Sequence, residues 1–155
     1  MKNTDAELAA QPIGYWAGAA HRVIIAYIRG EMSALGLTQP QFWLLRNLSA
    51  GDLSSDGQGL TVAQLTDRMR AYLHDDDDLE SAAEDLLKRG LVTRDADQRL
   101  WITETGRQGH ARVKQQSPAI RGRIHDGIDD ADYVTTLKVL RRMIDNVGGD
   151  PRASS

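Results

Sequence analysis

The sequence contains no cysteine, and only 5% of its 155 residues are aromatic. Without cysteine the chain cannot form a disulfide, a thiolate nucleophile or a cysteine-ligated zinc site. Its single phenylalanine and few other aromatic residues predict a core of Leu, Ile, Val and Ala, which suits helix packing better than a β-sandwich. These absences favour a mainly α protein in a reducing compartment.

Long apolar runs and an excess of basic residues are also missing. The longest apolar run, residues 23–28, is too short to span a bilayer, and residues 1–10 lack the apolar centre of a signal peptide. The formal net charge is −3, so the whole chain lacks the positive charge typical of proteins that bind nucleic acids. We expect a cytoplasmic protein that does not contact membranes.

The charges are distributed unevenly along the chain. Residues 74–87 hold seven acidic side chains and no Lys or Arg, and four of the acids are the consecutive aspartates at positions 75–78. Residues 88–123 hold nine Lys and Arg side chains against three acids. An acidic segment is therefore followed directly by a basic one.

Apolar spacing and capping residues predict a series of helices followed by a hairpin. Helices are expected over residues 12–35 and 40–48, then from Thr61 and around residues 79–87, and short strands over residues 91–94 and 99–102. A helix starting at Thr103 is expected to bend or break, because it contains Gly106, Gly109 and Pro118, and Asp129 is expected to cap the last helix. Short helices followed by a hairpin indicate a winged helix-turn-helix, in which one helix enters the major groove of DNA.

Several segments resemble the MarR family of bacterial transcription regulators. The segments LTVAQLTDRM, DLLKRGLVTR, DQR and ITETGR are similar to its winged helix, and PIGYWAGAAHRV, GLTQPQFWLLRNL and VLRRMIDNVGG are similar to its first, second and last helices. The resemblance covers residues 12–149 and implies a mainly α fold with a small β-hairpin wing. It implies a winged helix-turn-helix over residues 38–102 and dimerisation helices over residues 12–35 and 103–149, with flexible ends at residues 1–11 and 150–155.

The resemblance also implies a homodimer that binds duplex DNA at a palindromic operator and responds to a small-molecule effector. Arg99 matches the wing arginine of the family, with Asp97 as its orienting partner; the alternative is a surface ion pair in a hairpin turn, which contributes little. The expected DNA-contacting residues are Arg99, Arg94, Asp97, Lys88, Arg89, Arg70 and Thr61.

Two further sets of residues follow from the same resemblance. Residues expected at the dimer interface are Ile13, Trp16, Tyr133, Leu137, Leu140 and Ile144, with packing inside one chain as the alternative. Residues expected to line an effector cleft are Trp16, His21, Trp43 and His110, with ordinary core packing as the alternative.

The aspartate run conflicts with DNA binding, because it stands where the recognition helix of the family begins and usually carries Ser, Thr, Lys or Arg. A helix N-terminus favours one or two carboxylates, whereas a carboxylate about 4 Å from a phosphate costs on the order of 1 kcal/mol even in water. Three explanations remain open: carboxylates that accept from cytosine N4, a divalent cation held with His74, or a module that has lost DNA binding and acts through a basic protein partner or a ligand. The sequence predicts no cofactor, no metal site and no catalytic residue; metal-dependent hydrolysis at the aspartate run is the remaining hypothesis for an enzyme.

Overall fold

The computed structural model describes residues 3–151, which form seven helices and one two-stranded sheet. In chain order these are α1 (Asp5–Ala9), α2 (Ile13–Ala34), α3 (Gln39–Leu48), α4 (Val62–Met69), α5 (Leu79–Lys88), β1 (Val92–Arg94), β2 (Leu100–Ile102), α6 (Glu104–Ile124) and α7 (Asp130–Asn146). The mainly helical winged-helix fold with a β-hairpin is confirmed. Of the ends predicted to be flexible, residues 1–2 and 152–155 lie outside the described residues, and α1 occupies part of the N-terminal one.

Threonine side chains begin three helices at the predicted positions. Thr38 Oγ1 accepts a hydrogen bond from Gln41 N–H at 3.2 Å, and Gln41 Oε1 accepts from Thr38 N–H at 3.0 Å, so the pair forms a capping box. Thr61 has the same arrangement at α4, and Thr103 caps α6. Asp129 occupies the N-cap position of α7, but its side chain makes no capping hydrogen bond, contrary to the expectation.

The hairpin is antiparallel, with Val92 opposite Ile102 and Arg94 opposite Leu100. Leu60, in the loop before α4, adds one bridge to it: Leu100 N–H donates to the Leu60 carbonyl at 2.8 Å, and Leu60 N–H donates back at 3.2 Å. The base of the wing is therefore joined to the loop that leads into the helix-turn-helix.

The core lies where α3, α4, α5, α6 and the hairpin meet. Helix α3 has an apolar stripe of Phe42, Leu45 and Leu48, and all three side chains are buried. Side chains with no exposed surface are Leu44, Leu45, Leu65, Ala83, Leu86 and Leu100. Because this core holds α5 and the wing in one unit, it sets the position of any surface they share.

Helix α6 runs from Glu104 to Ile124 without interruption, so a break in this helix, one of the two predicted outcomes, is wrong. Gly106 is buried, and a Cβ atom there would lie 2.1 Å from the Leu91 carbonyl oxygen. This glycine thus allows the start of α6 to pass close to the chain that enters β1. The helix continues through Pro118, which removes one N–H donor but leaves the remaining hydrogen bonds of a long helix.

Two of the long helices are poorly covered by their own chain. None of the 17 residues of α7 is buried, and Met32 is the single buried residue of the 22 in α2. Exposed apolar side chains on these helices include Ile13, Trp16, Val134, Leu137, Val139 and Met143. Within residues 3–151, no helix is both long and apolar enough to cross a membrane.

Candidate DNA interface and ligand cavity

The predicted recognition helix, α5, begins later than the aspartate run implied. Its first residue is Leu79 and its N-cap is Asp78, whose carboxylate accepts hydrogen bonds from Ser81 N–H at 3.1 Å and Ser81 Oγ at 2.8 Å. Asp75 and Asp76 therefore lie in the turn before the helix rather than in its first turn. Leu79 is buried, so the helix starts where the chain enters the core.

Asp77 is turned into the protein and is bound there. Its two carboxylate oxygens accept hydrogen bonds from both terminal nitrogens of Arg29, each at 3.0 Å, and Oδ2 also accepts from His74 N–H at 2.8 Å. The Asp77 side chain is only 8% exposed. Burial alone would raise the pKa of Asp77, but the hydrogen bonds from Arg29 and His74 outweigh it and lower that pKa. This carboxylate is not available to repel a phosphate.

Other acids of the segment have partners too. Glu80 forms an ion pair with Arg94 of β1 at 2.7 Å, and Asp85 accepts from Gln41 Nε2 at 2.7 Å and from Arg89 Nη1 at 3.1 Å. Among residues 3–151, Asp75, Asp76 and Glu84 are the acids of the segment without a hydrogen bond or ion pair, and all three are exposed. Three of the seven carboxylates, those of Asp77, Glu80 and Asp85, hold α5 and the turn before it to the rest of the domain, and Asp78 caps the helix. This partly corrects the expectation that the whole run opposes DNA.

The tip of the wing is organised by Asp95, a residue that the sequence analysis missed. Asp95 Oδ1 accepts from Asp97 N–H at 3.0 Å and from Arg99 N–H at 2.9 Å, and Oδ2 accepts from Trp101 Nε1–H at 2.8 Å. These hydrogen bonds, led by that of Trp101, lower the pKa of Asp95. An Asp whose side chain bonds the N–H two residues later is a known turn pattern, and this pattern was the signal available in the sequence.

Arg99 is exposed at this tip, and its side chain forms no hydrogen bond or ion pair within residues 3–151. The expected pairing with Asp97 is wrong, because the carboxylate that shapes the turn belongs to Asp95. Gln98 takes the left-handed backbone conformation, with a φ of 62°, which lets the chain reverse before Arg99. The turn thus presents a free guanidinium at the end of the hairpin.

The other predicted DNA-contacting residues have different surroundings. Arg94 is paired with Glu80, and Arg70 is paired with Asp67 at 2.6 Å. Arg89 donates to Asp85 and also to the Gly36 carbonyl at 2.6 Å, so it ties the end of α5 to the turn before α3. Lys88 is exposed, and the side chain of Thr61 is engaged as a helix cap.

The four residues expected to line one ligand cleft do not converge. Trp16 and His21 lie on α2, where Trp16 is 49% exposed and the His21 ring lies 5.8 Å from that of His74. His110 stacks on Phe42 at 5.5 Å. Trp43 is the member of the set that lines the cavity described next. The sequence predicted that all four line one cleft, but it could not show which way each side chain faces.

A cavity of about 710 Å³ lies among α2, α3, α6 and α7. Its apolar wall is made of Ile24, Ile28, Met32, Phe42, Trp43, Val113, Pro118, Ile120, Ile124 and Tyr133, and its polar groups come from Gln39, Lys114, Ser117, Arg121 and His125. None of these described lining residues is acidic, whereas two are Lys and Arg. The cavity therefore suits a ligand with an apolar body and a negative charge.

Asp52, in the loop after α3, forms a second cluster that the sequence did not reveal. Its carboxylate binds Arg46 through two contacts at 3.0 and 3.1 Å, His110 Nε2 at 2.9 Å and Lys114 Nζ at 3.3 Å, while its side chain is only 5% exposed. Burial alone would raise the pKa of Asp52, but hydrogen bonds from Arg46, His110 and Lys114 outweigh it and hold that pKa well below its ordinary value. The cluster fixes the loop to α3 and α6.

The residues predicted for a dimer interface lie on α2 and α7. Ile13, Trp16 and Leu137 are 48%, 49% and 44% exposed, and the other three, Tyr133, Leu140 and Ile144, are half-buried. Among residues 3–151, no group of three or more His, Asp or Glu side chains is arranged to hold a metal ion, so the cation suggested by the aspartate run lacks a set of ligands there.

Comparison with solved structures identifies the architecture. A MarR-family regulator from Silicibacter pomeroyi is 27% identical, with 87% of this chain and 89% of that chain aligned at a TM-score of 0.55. The Mycobacterium tuberculosis MarR family protein Rv2887 is 23% identical in two structures: one in complex with DNA, aligned over 90% of this chain and 99% of that chain (TM-score 0.60), and one with p-aminosalicylic acid, over 90% and 100% (TM-score 0.57).

No protein-family model and no curated protein matches the sequence. The resemblance found in the sequence is nevertheless confirmed by the solved structures, since many of those that match are named MarR-family transcription regulators and cover most of the chain. Together with the hairpin, the capped helices of the helix-turn-helix and the long terminal helices, these matches show that the chain has the winged-helix fold of MarR-family transcription regulators.

Proposed function

We propose that the protein is a transcription regulator that binds duplex DNA as a homodimer. The observation that carries this proposal is the wing tip, where Asp95 shapes the turn and the Arg99 guanidinium is exposed, with no hydrogen bond or ion pair in the described chain. An arginine at the end of a hairpin can enter the minor groove, where the negative potential is strongest when the groove is narrow. A protein of the same fold, Rv2887, has a structure in complex with DNA, which supports DNA as the ligand of this fold.

The dimer is proposed from the uncovered apolar faces of α2 and α7. Leu137, Val134 and Val139 are each 44–45% exposed on a helix that buries none of its own residues. A second copy of the chain would cover these side chains, and two-fold symmetry would then present two wings to a palindromic operator.

Replacing Leu137 by glutamate is expected to convert the dimer into monomers, because it would place a charge in an apolar interface. Sedimentation velocity at micromolar concentration measures the change. Leu53→Glu is the matched control, since Leu53 is 53% exposed but lies in the loop before α4, and this variant should remain dimeric. A monomeric wild type, or a dimer that persists in Leu137→Glu, would contradict the proposed interface.

An effector is proposed for the cavity among α2, α3, α6 and α7. Apolar walls favour an aromatic or aliphatic body, and Arg121 favours a carboxylate on it, whereas the ammonium group of Lys114 already binds Asp52. The structure of Rv2887 with p-aminosalicylic acid shows that a protein of this fold can hold such a molecule. We therefore choose p-aminosalicylate as the probe of this cavity, with tryptophan fluorescence as the signal, since Trp43 lies in its wall.

DNA binding is tested by selecting duplexes from a random library and titrating the selected sequences by fluorescence anisotropy at two salt concentrations. The wild type should bind selected duplexes more tightly than random ones and lose affinity as salt increases. Arg99→Ala should lower the affinity for selected duplexes roughly 5- to 150-fold. Arg141→Ala, which removes the same charge from the exposed side of α7, is the control and should bind as the wild type does.

A second candidate function is a dimer that no longer binds DNA and acts through a basic protein partner. The exposed, unpaired Asp75, Asp76 and Glu84 favour it. Failure of the selection to enrich any duplex, with no binding at low salt, would reject the DNA regulator and favour this alternative.

A further inference from the structure

A continuous series of hydrogen bonds connects the wall of the cavity to the turn before α5. Gln39 lines the cavity and is 7% exposed, and its Oε1 accepts from Arg29 Nε at 3.1 Å. The two terminal nitrogens of Arg29 donate to Asp77, each at 3.0 Å, and Asp77 accepts in addition from His74 N–H at 2.8 Å. One guanidinium therefore joins α2, α3 and the turn before α5, although that turn lies 48 positions from Arg29 in the sequence.

The orientation of the Gln39 amide follows from its partner. A guanidinium only donates hydrogen bonds, so the amide oxygen must face Arg29 and the amide nitrogen must lie on the other side. Within residues 3–151, no group accepts a hydrogen bond from Gln39 Nε2. A residue that lines the cavity therefore has an amide donor without a partner among the described residues.

The other end of the series controls the start of α5. Asp77 directly precedes Asp78, the residue that caps this helix through Ser81. Arg29 binds both oxygens of Asp77 through a planar, rigid guanidinium. A shift of Arg29 therefore shifts Asp77, the residue next to the N-cap of α5. The neighbouring Asp76 adds a further attraction to Arg29.

We propose that Gln39, Arg29 and Asp77 are positioning residues that couple occupancy of the cavity to the placement of α5. A ligand carboxylate that accepts from Gln39 Nε2 draws the amide away from Arg29, loosens the contact of Arg29 with Asp77 and releases the turn before α5. The consequence is weaker DNA binding when the cavity is filled. This inference rests on the proposed function, because it needs a ligand in the cavity and DNA at α5.

The first experiment requires neither ligand nor DNA. Hydrogen exchange of the His74 amide, measured by NMR, reports the contact directly because this amide donates to Asp77. Arg29→Gln and Gln39→Leu should each accelerate exchange about 5-fold or more, and the double variant should exchange no faster than Arg29→Gln alone. Arg29→Lys should accelerate exchange as Arg29→Gln does, because an ammonium group cannot reproduce the two parallel hydrogen bonds of a guanidinium to a carboxylate.

Arg46→Gln is the matched control for this experiment. Arg46 and Asp52 also form an ion pair with two contacts, here through Nε and Nη2 of the arginine. Their side chains are 31% and 5% exposed, against 27% and 8% for Arg29 and Asp77. Loss of the ion pair between Arg46 and Asp52 should leave exchange of the His74 amide unchanged. Unchanged exchange in Gln39→Leu, or effects of Gln39→Leu and Arg29→Gln that simply add, would overturn the coupling.

The second experiment measures the coupling itself. p-Aminosalicylate should weaken binding of the wild type to a selected duplex. In Arg29→Gln, the ratio of the duplex affinities without and with the probe should be close to one. Tryptophan fluorescence should show that this variant still binds the probe as the wild type does. A full effect of the probe in Arg29→Gln would overturn the inference. If the wild type bound neither the duplex nor the probe, the proposed function would fail, and the exchange of the His74 amide would decide separately whether the three residues are coupled.

Discussion

Asp52→Ala is expected to lower the free energy of unfolding by about 3 kcal/mol, near the low end for breaking a buried ion pair. The substitution removes the single carboxylate that binds Arg46, His110 and Lys114 and leaves these groups crowded together. The expected decrease in the free energy of unfolding is at the low end because Arg46 and Lys114 are 31% and 47% exposed, so water can solvate their charges in the variant. Urea denaturation measures the change.

The same cluster predicts how this difference depends on pH. The pKa of Asp52 is lower in the folded protein than in the unfolded chain, so its contribution to stability is fully present above the unfolded pKa of about 3.9 and is lost as the pH falls toward the folded pKa. The free energy of unfolding of the wild type should therefore exceed that of Asp52→Ala above about pH 5, and this difference should shrink in more acidic solution as Asp52 is protonated.

Asp56→Ala is the control within the same loop. Asp56 is exposed and accepts hydrogen bonds only from nearby groups, Ser54 Oγ at 3.4 Å and Gln58 N–H at 3.1 Å. Its loss should cost less than about 1 kcal/mol. Equal effects of the two substitutions would show that the loop, rather than the cluster around Asp52, accounts for the loss.

The elements of the fold could be predicted because their signals are local. Thr38 and Thr61 mark helix starts through residues only three positions away, and the hairpin is marked by a turn of a few residues. The error at α6 has a non-local cause, since Gly106 is required by the Leu91 carbonyl that packs against it. Local rules for glycine in helices carry no information about such a contact.

The site was less predictable because its contacts join distant parts of the chain. Asp77 meets Arg29 across 48 positions, and Asp52 meets His110 across 58. Charge counts placed seven acids in one segment but could not show which of them are bound internally. The sequence therefore overstated how many of these acids are free to oppose DNA.

The unpaired acids give the second large effect. Replacing Asp75 and Asp76 by serine and Glu84 by glutamine should raise affinity for random duplex DNA at low salt roughly 10- to 100-fold, since each removes a repulsion of on the order of 1 kcal/mol at about 4 Å. Asp77 and Asp78 must be left intact, because they bind Arg29 and cap α5. The gain should diminish as salt screens the exposed charges.

The matched control removes three exposed acids far from the winged helix, by Asp126→Ser, Asp132→Ser and Asp145→Asn. Net charge changes equally in the two triple variants. A greater gain in DNA affinity for the variant at Asp75, Asp76 and Glu84 would therefore place DNA beside α5 and the turn before it. Equal gains would mean that the acids act only through overall charge and that α5 does not approach the duplex. A regulator of this fold would then read DNA with its wings while α5 serves another contact.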